Sequence, residues 1–254
     1  MESRRLTVQL ALPGGRVEIA MEVPTGNVPM RALLPALRTT ADAFVAYAAN
    51  LSVAEGKPVS CAAGCGACCR QLVPIAEAEA RRIAVLVEEL PEPRRTAVKG
   101  RFADAVARVE AAGLLPALEG RSDRLVEKNL AIGLAYFALG IPCPFLEEES
   151  CSIYEERPIA CREYLVSSPP AACAAPSGDT IRSVPLPTRV WAAMAREEKG
   201  MPGAGPAPCI PLVVALRWSA VQVEAEPVRP GPDLLRAVYA RFSHERGAGQ
   251  GESG

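Results

Sequence analysis

Four cysteines lie within nine residues, in the order Cys61-Ala-Ala-Gly-Cys65-Gly-Ala-Cys68-Cys69. Only glycine and alanine separate the thiols, and Gly64 and Gly66 are free to take positive φ. The backbone can therefore wrap until several sulfurs converge on one point with amides facing them. Convergent thiolates are what a soft metal ion or an iron–sulfur cluster requires. A second group, Cys143-Pro-Phe-Leu-Glu-Glu-Glu-Ser-Cys151-Ser-Ile-Tyr-Glu-Glu-Arg-Pro-Ile-Ala-Cys161-Arg162, lies downstream, with Cys173 beyond it. Cys209, between Pro208 and Ile210, stands apart from both groups and reads as a buried, inert thiol. His244 is the sole histidine. Zinc sites with two histidines, Ser-His-Asp triads and Cys-His nucleophile pairs therefore lack a residue they need. The ligands left are thiolates, with carboxylates second; the run Glu147-Glu148-Glu149 reads first as a solvated loop tip.

Four thiolates on Zn2+ or on a [4Fe-4S]2+ core leave a net charge of about −2, which is costly unless hydrogen bonds and cations offset it. Arg70, Arg157 and Arg162 flank the cysteines and are the candidates for that role. Eight thiolates exceed what one four-coordinate site holds. Either two centres form, or one forms and the other thiols are structural or redox-active.

The elements that must position these residues are mostly helices. Residues 6–12 and 16–23 alternate around Pro13-Gly14-Gly15 and predict a small N-terminal β-hairpin. Apolar residues at three- and four-residue spacing predict helices over 30–53, 75–90, 94–112 and 122–139. Ser122 or Asp123 supplies the cap of the last of these. Residues 143–188 are rich in proline, cysteine and small side chains, with one helical turn expected around 155–164 and little core of their own. Two or three further helices are expected, over roughly 187–199, 210–223 and 232–244. The fold class is therefore mainly α: an irregular helical domain with Cys-rich metal-binding loops and the hairpin at its start. The chain divides into 1–57 (hairpin and helix), 58–186 (cysteine-cluster domain), 187–245 (C-terminal helices) and a disordered tail, 246–254. Strand–helix alternation is missing, which disfavours a parallel α/β sheet.

Composition narrows the partners. The 254 residues carry 28 basic and 29 acidic side chains, a net charge of −1, so no global field draws nucleic acid or an anionic membrane. Basic charge resides almost wholly in arginine, which reads as the codon bias of a GC-rich genome. The first residues lack the continuous apolar stretch of a signal peptide, and residues 129–146, uncharged until Glu147, are broken by Gly140, Pro142 and Pro144. A cytoplasmic protein is expected, in which nine cysteines speak for metal binding or redox chemistry instead of disulfides.

The pair of motifs, Cx3Cx2CC followed by CPFL and CSIYEERPIACR with a later cysteine, resembles the YkgJ-like cysteine-cluster family of zinc- or iron-chelating proteins. The likeness spans residues 58–175 and includes Leu146, Ile153, Tyr154, Arg157, Pro158 and Arg162. It implies metal or iron–sulfur binding by Cys61, Cys65, Cys68, Cys69, Cys143, Cys151, Cys161 and Cys173. The cofactor is then an iron–sulfur cluster, [4Fe-4S] by preference, or Zn2+. The cysteine pattern is also similar to that of flagellin lysine N-methylases, which adds a cluster-dependent methylase or oxidoreductase as the alternative to a binding module. A protein partner or substrate stays open under both. Cys61, Cys65 and Cys68 also match the Cx3Cx2C spacing of radical S-adenosylmethionine enzymes. The adjacent fourth cysteine, the alanine before Cys68 and the missing βα alternation oppose that reading.

Overall fold

Alternating polar and apolar residues give the N-terminal ribbon one wet and one dry face. In the computed structural model, which describes residues 2–119, 126–175, 180–201, 207–222 and 225–245, β1 (Ser3–Leu12) pairs antiparallel with β2 (Gly15–Pro24). Gly14 takes the positive φ of 86° that the tight connection needs. Next, β3 (Asn27–Pro29) passes through a 3-10 turn (Met30–Leu33) into α1 (Leu34–Ala54). Beyond the first cysteine loop come β4 (Pro74–Ile75), α2 (Glu77–Glu89), α3 (Arg94–Ala111), α4 (Leu115–Glu119) and α5 (Val126–Ala138). A miniature hairpin, β5 (Leu146–Glu147) with β6 (Ser150–Cys151), precedes a 3-10 turn (Tyr154–Glu156), α6 (Ile159–Arg162) and α7 (Pro170–Ala174). The described chain closes with α8 (Val190–Glu198), β7 (Ile210–Pro211), α9 (Ala215–Ala220), β8 (Val228–Pro230) and α10 (Gly231–Glu245). The architecture is mainly α with small antiparallel strand pairs.

Two apolar clusters organise these elements. In the first, the dry face of β2 (Ile19, Met21, Val23) packs with Leu37 and Phe44 of α1, Met194 of α8 and Val238 of α10. Phe44 and Phe242 meet edge to face at 5.5 Å, and β3 pairs with β8, so the two ends of the chain share one core. The second cluster joins Ile83 and Val87 of α2 to Val98 and Phe102 of α3, Phe145, Ile153 and the 212–214 turn. Phe102 contacts Phe145 edge to face at 5.5 Å, which docks the second cysteine segment on α3. Residues 75–80 run between the clusters: Ala76 and Ala78 belong to the first, Ile75 and Ala80 to the second.

Several expected boundaries move. The helix expected from residue 30 begins as a 3-10 turn, and Pro74–Ile75 is a strand that pairs with Ile210–Pro211, so α2 starts only at Glu77. The helix expected over 210–223 shortens to Ala215–Ala220 for the same reason. Helices α4 and α7, of five residues each, carry no readable period. The expected cap at Ser122 or Asp123 and the expected tail 246–254 lie outside the described residues. Among the described residues no helix is long and apolar enough to cross a membrane.

Buried carboxylates fasten the start of α2. Glu79, 2% exposed, accepts the N–H groups of Ala76 (3.1 Å) and Ile159 (2.7 Å), tying α2 to α6. Glu198 of α8 accepts the N–H groups of Glu77 (3.0 Å) and Ala78 (2.8 Å), satisfying donors that the first turn leaves open. Burial outweighs these bonds and pushes the Glu198 carboxyl up to about 8, with the neighbouring charges of Glu77 and Glu79 adding to the rise. A raised folded-state value means that protons bind the folded chain more tightly than the unfolded one. This group's contribution is fully present below its ordinary value and is lost as pH climbs toward about 8. Urea unfolding of the wild type should therefore show stability falling across that window, with a shallower fall in Glu198→Gln; identical slopes would remove Glu198 from the account.

Candidate metal centre

The first cysteine loop is built from tight turns. Cys65 N–H donates to Ala62 O (3.2 Å), Cys69 N–H to Gly66 O (2.9 Å) and Gln71 N–H to Cys68 O (3.0 Å). The two glycines serve different ends. Gly64 adopts a positive φ of 84°. Gly66 is required by space, because a Cβ there would lie 2.5 Å from Glu149 O and 2.8 Å from a Leu146 methyl carbon. The loop therefore lies directly on the β5–β6 hairpin. That hairpin turns through Glu148 and Glu149, at φ of 49° and 56°, a left-handed conformation that costs non-glycine residues roughly 1–2 kcal/mol each.

The segment from Cys143 to Arg162 contributes few core residues, and arginines from three helices hold it. Arg38 of α1 donates to Glu156 O (3.0 Å), and Arg82 of α2 grips the Glu156 carboxylate in two bonds of 2.8 and 2.7 Å. Arg94 and Arg101 of α3 donate to Ser152 O (2.9 Å) and Pro144 O (2.6 Å). The arginine content that reads as codon bias thus has structural work here: a forked cation satisfies loop carbonyls that no strand or helix pairs. Glu147 of the acidic run is engaged by Arg101 (2.6 Å) and Glu149 by Arg70 (2.6 Å).

The cysteines of both groups converge. Cys61 and Cys65 are exposed, Cys68, Cys69, Cys143, Cys151 and Cys161 are half-buried by residue, and Cys173 is 4% exposed. Cys68 lies at the centre. Its thiol is held protonated first by a hydrogen bond with the Cys69 thiol and then by burial. A thiolate at Cys68 would in turn raise the thiols of Cys61, Cys143, Cys151, Cys161 and Cys173, so few of them ionise together. Burial is the leading cause for Cys143, pushed up to about 12, and for Cys161, pushed well above the ordinary thiol range. Cys209 differs: burial alone raises it, and no other thiol acts on it.

Among the described residues no three His, Cys, Asp or Glu side chains are already closed into a metal-holding group. The donor set nevertheless fits a thiophilic ion or an iron–sulfur cluster in chemistry: several sulfurs in one region, with cationic arginine close by. Ligation would expel the thiol protons and draw the sulfurs together, so binding and local ordering are coupled.

The three flanking arginines differ in position. Arg157 stacks 4.2 Å from the Tyr154 ring, and its charge favours the thiolates of Cys61, Cys68 and Cys151. Its Nε is buried with no partner. Arg162 is 8% exposed and spans from Asp42 of α1 (3.0 and 2.8 Å) to Glu155 O and Arg157 O. Arg70 is occupied by Glu149 and lies beside Cys69. Sequence reasoning passes over Tyr164, whose hydroxyl accepts Gln71 Nε2–H (3.2 Å) and bonds the Cys173 thiol, and over Glu79, which lies near Cys161. Neither position carries a spacing signal, because both come into place through tertiary contact.

Residues 60–177, which contain all eight converging cysteines and exclude Cys209, match the CxxCxxCC family model, described as a "putative zinc- or iron-chelating domain". The match covers less than half of the chain and is consistent with a cysteine-cluster family, and it supports a metal ion as partner. No curated protein and no solved structure matches the chain.

The clash at Gly66 yields a test. Gly66→Ala should destabilise the chain by about 1–3 kcal/mol, the usual cost of overpacking, and lower metal retention as the loop lifts from the hairpin. Thermal unfolding together with metal analysis checks this, and unchanged values would mean that the two loops need not touch.

Proposed function

We propose that the chain is a metal-binding protein whose converged thiols hold a thiolate-ligated centre, an iron–sulfur cluster of the [4Fe-4S] type or zinc, in a redox or metal-handling role. The carrying observation is that the first cysteine loop is bonded to both flanks of the second cysteine segment: Cys143 N–H donates to Cys69 O (2.7 Å) and Val166 N–H donates to Cys61 Sγ (3.4 Å). The family match over residues 60–177 supports it. Arg157, with its buried and unpartnered Nε beside these thiols, is suited to offset their negative charge, and Arg162 orients the segment that carries it. Arg70 holds the first loop against the acidic hairpin through Glu149. A reducing compartment such as the cytoplasm would keep the thiols available for ligation.

The two cysteine groups bracket helices α2 to α5. A centre that takes ligands from both sides staples the ends of this helical insertion. Its binding free energy then adds to folding, on the order of 10–16 kcal/mol for a structural zinc at neutral pH.

Anaerobic purification followed by iron, sulfide and zinc analysis tests the reading. Iron and sulfide with visible absorption would identify a cluster; zinc without visible absorption would identify a zinc centre. Cys68→Ser and Cys151→Ser should each lower metal content, while Cys209→Ser should leave it unchanged. A chain that stays metal-free after reconstitution with iron and sulfide or with zinc sinks the proposal.

A further inference from the structure

We propose that the open edge of β2 and the first turns of α1 form a docking groove for an extended peptide of another protein, which adds to the N-terminal ribbon as a third strand. None of the groove's residues belongs to the cysteine loops, so the site does not depend on the chelating function.

Hydrogen-bond alternation determines which backbone groups the edge offers. Opposite residues of an antiparallel ribbon alternate between bonded and non-bonded pairs. Thr25 N–H donates to Glu2 O (3.0 Å), directly across the ribbon. Counting along the register from that bond, Val23, Met21 and Ile19 bond to Arg4, Leu6 and Val8. The N–H and C=O groups of Glu22, Ala20 and Glu18 therefore point away from β1. The sheet has two strands, and among the described residues no hydrogen bond reaches the backbone of Ala20 or Glu22 from outside it.

Beside this edge lies a groove of about 310 Å3, at the small end of the range of ligand sites. Met21 of β2 with Pro35 and Ala36 of α1 give it an apolar lining, and the exposed Ala20, Glu22 and Arg5 complete it. An unpaired strand edge walled by a helix is the setting for strand addition, in which main-chain bonds give affinity and alternate side chains give specificity.

The same features describe the peptide. Laid antiparallel, its residues opposite Glu22 and Ala20 each exchange two main-chain bonds with the edge. The residue between them, opposite Met21, turns its side chain to the face that α1 closes, so it must be small and apolar. Its two neighbours turn to the face of Arg5 and Glu22. Those two side chains stand opposite each other in the register yet form no ion pair, so both charges are open to a partner. Glu22 favours a basic residue directly opposite, and Arg5 favours an acidic residue beside Ala20. The groove thus fits a stretch that runs basic, small apolar, acidic.

A blocked peptide with lysine, valine and glutamate at its centre, titrated into the isotope-labelled full chain, tests this by nuclear magnetic resonance. The Ala20 and Glu22 amide signals should shift, and their exchange with solvent should slow at least about tenfold at saturation. Ala20→Pro removes an N–H that the ribbon does not use, so it should keep the fold and weaken binding at least about tenfold. Glu22→Lys should weaken binding about tenfold, and a peptide with glutamate in place of the lysine should recover it. No binding at millimolar peptide, binding that leaves the Ala20 and Glu22 signals unmoved, or unchanged affinity in Ala20→Pro would overturn the assignment. If Ala20→Pro does not fold, failure of the exchanged peptide to recover binding to Glu22→Lys overturns it alone. Protection of the Ala20 amide that rises with protein concentration in the free chain would give the edge to a second copy and overturn the peptide site.

Discussion

Thiols gathered around Cys68 raise one another's hold on protons, since either a proton or a cation placed among them relieves the repulsion between neighbouring thiolates. Burial intensifies the constraint at Cys143 and Cys161, where an unpaired thiolate would lose its hydration without compensation. The loops that carry these cysteines add little apolar surface to either cluster, so the energy that orders them must come from elsewhere. Under the proposed function, metal ligation is one source. The arginine bonds that approach the loops from α1, α2 and α3 are the other, and they fix the second cysteine segment on the helices.

The two apolar clusters serve this arrangement. One joins the ends of the chain and anchors α1, whose exposed Asp42 holds Arg162; the other supports Cys143 and Cys151. Glu79 fastens the clusters at the seam, accepting an N–H from the start of α2 and another from the start of α6, two residues before Cys161. A buried carboxylate left without those donors would be costly, so α2 and α6 hold a fixed relation. Cys61 and Cys65 are the exposed cysteines, whereas Cys143 and Cys151 pack against the second cluster and Cys173 is buried.

How much of this was legible depends on the range of each interaction. The ribbon β1–β2 and the long helices α1, α2 and α3 could be read from local periodicity, because each buries one face whose spacing is printed in the chain. The pairs β3–β8 and β4–β7 could not, since two- and three-residue strands have no period and their partners lie far along the sequence. The same limit hid the shared core of the two chain ends and the work of Arg38, Arg82, Arg94 and Arg101. Gly66 shows the difference at one residue: its place in a cysteine loop suggests backbone freedom, whereas the structure requires it for lack of room beside Glu149.

By itself, the sequence determined which donors are on offer. One histidine, nine cysteines and their spacing make sulfur the abundant donor and set Cys209 apart from the other eight, since residue type and local spacing are properties of the chain before it folds. Only the tertiary structure decided that both cysteine groups meet around Cys68, which thiols face solvent, and which arginines lie near enough to matter. Distance and burial are set by how helices pack, and both the strength of a charge interaction and the cost of a thiolate depend on them.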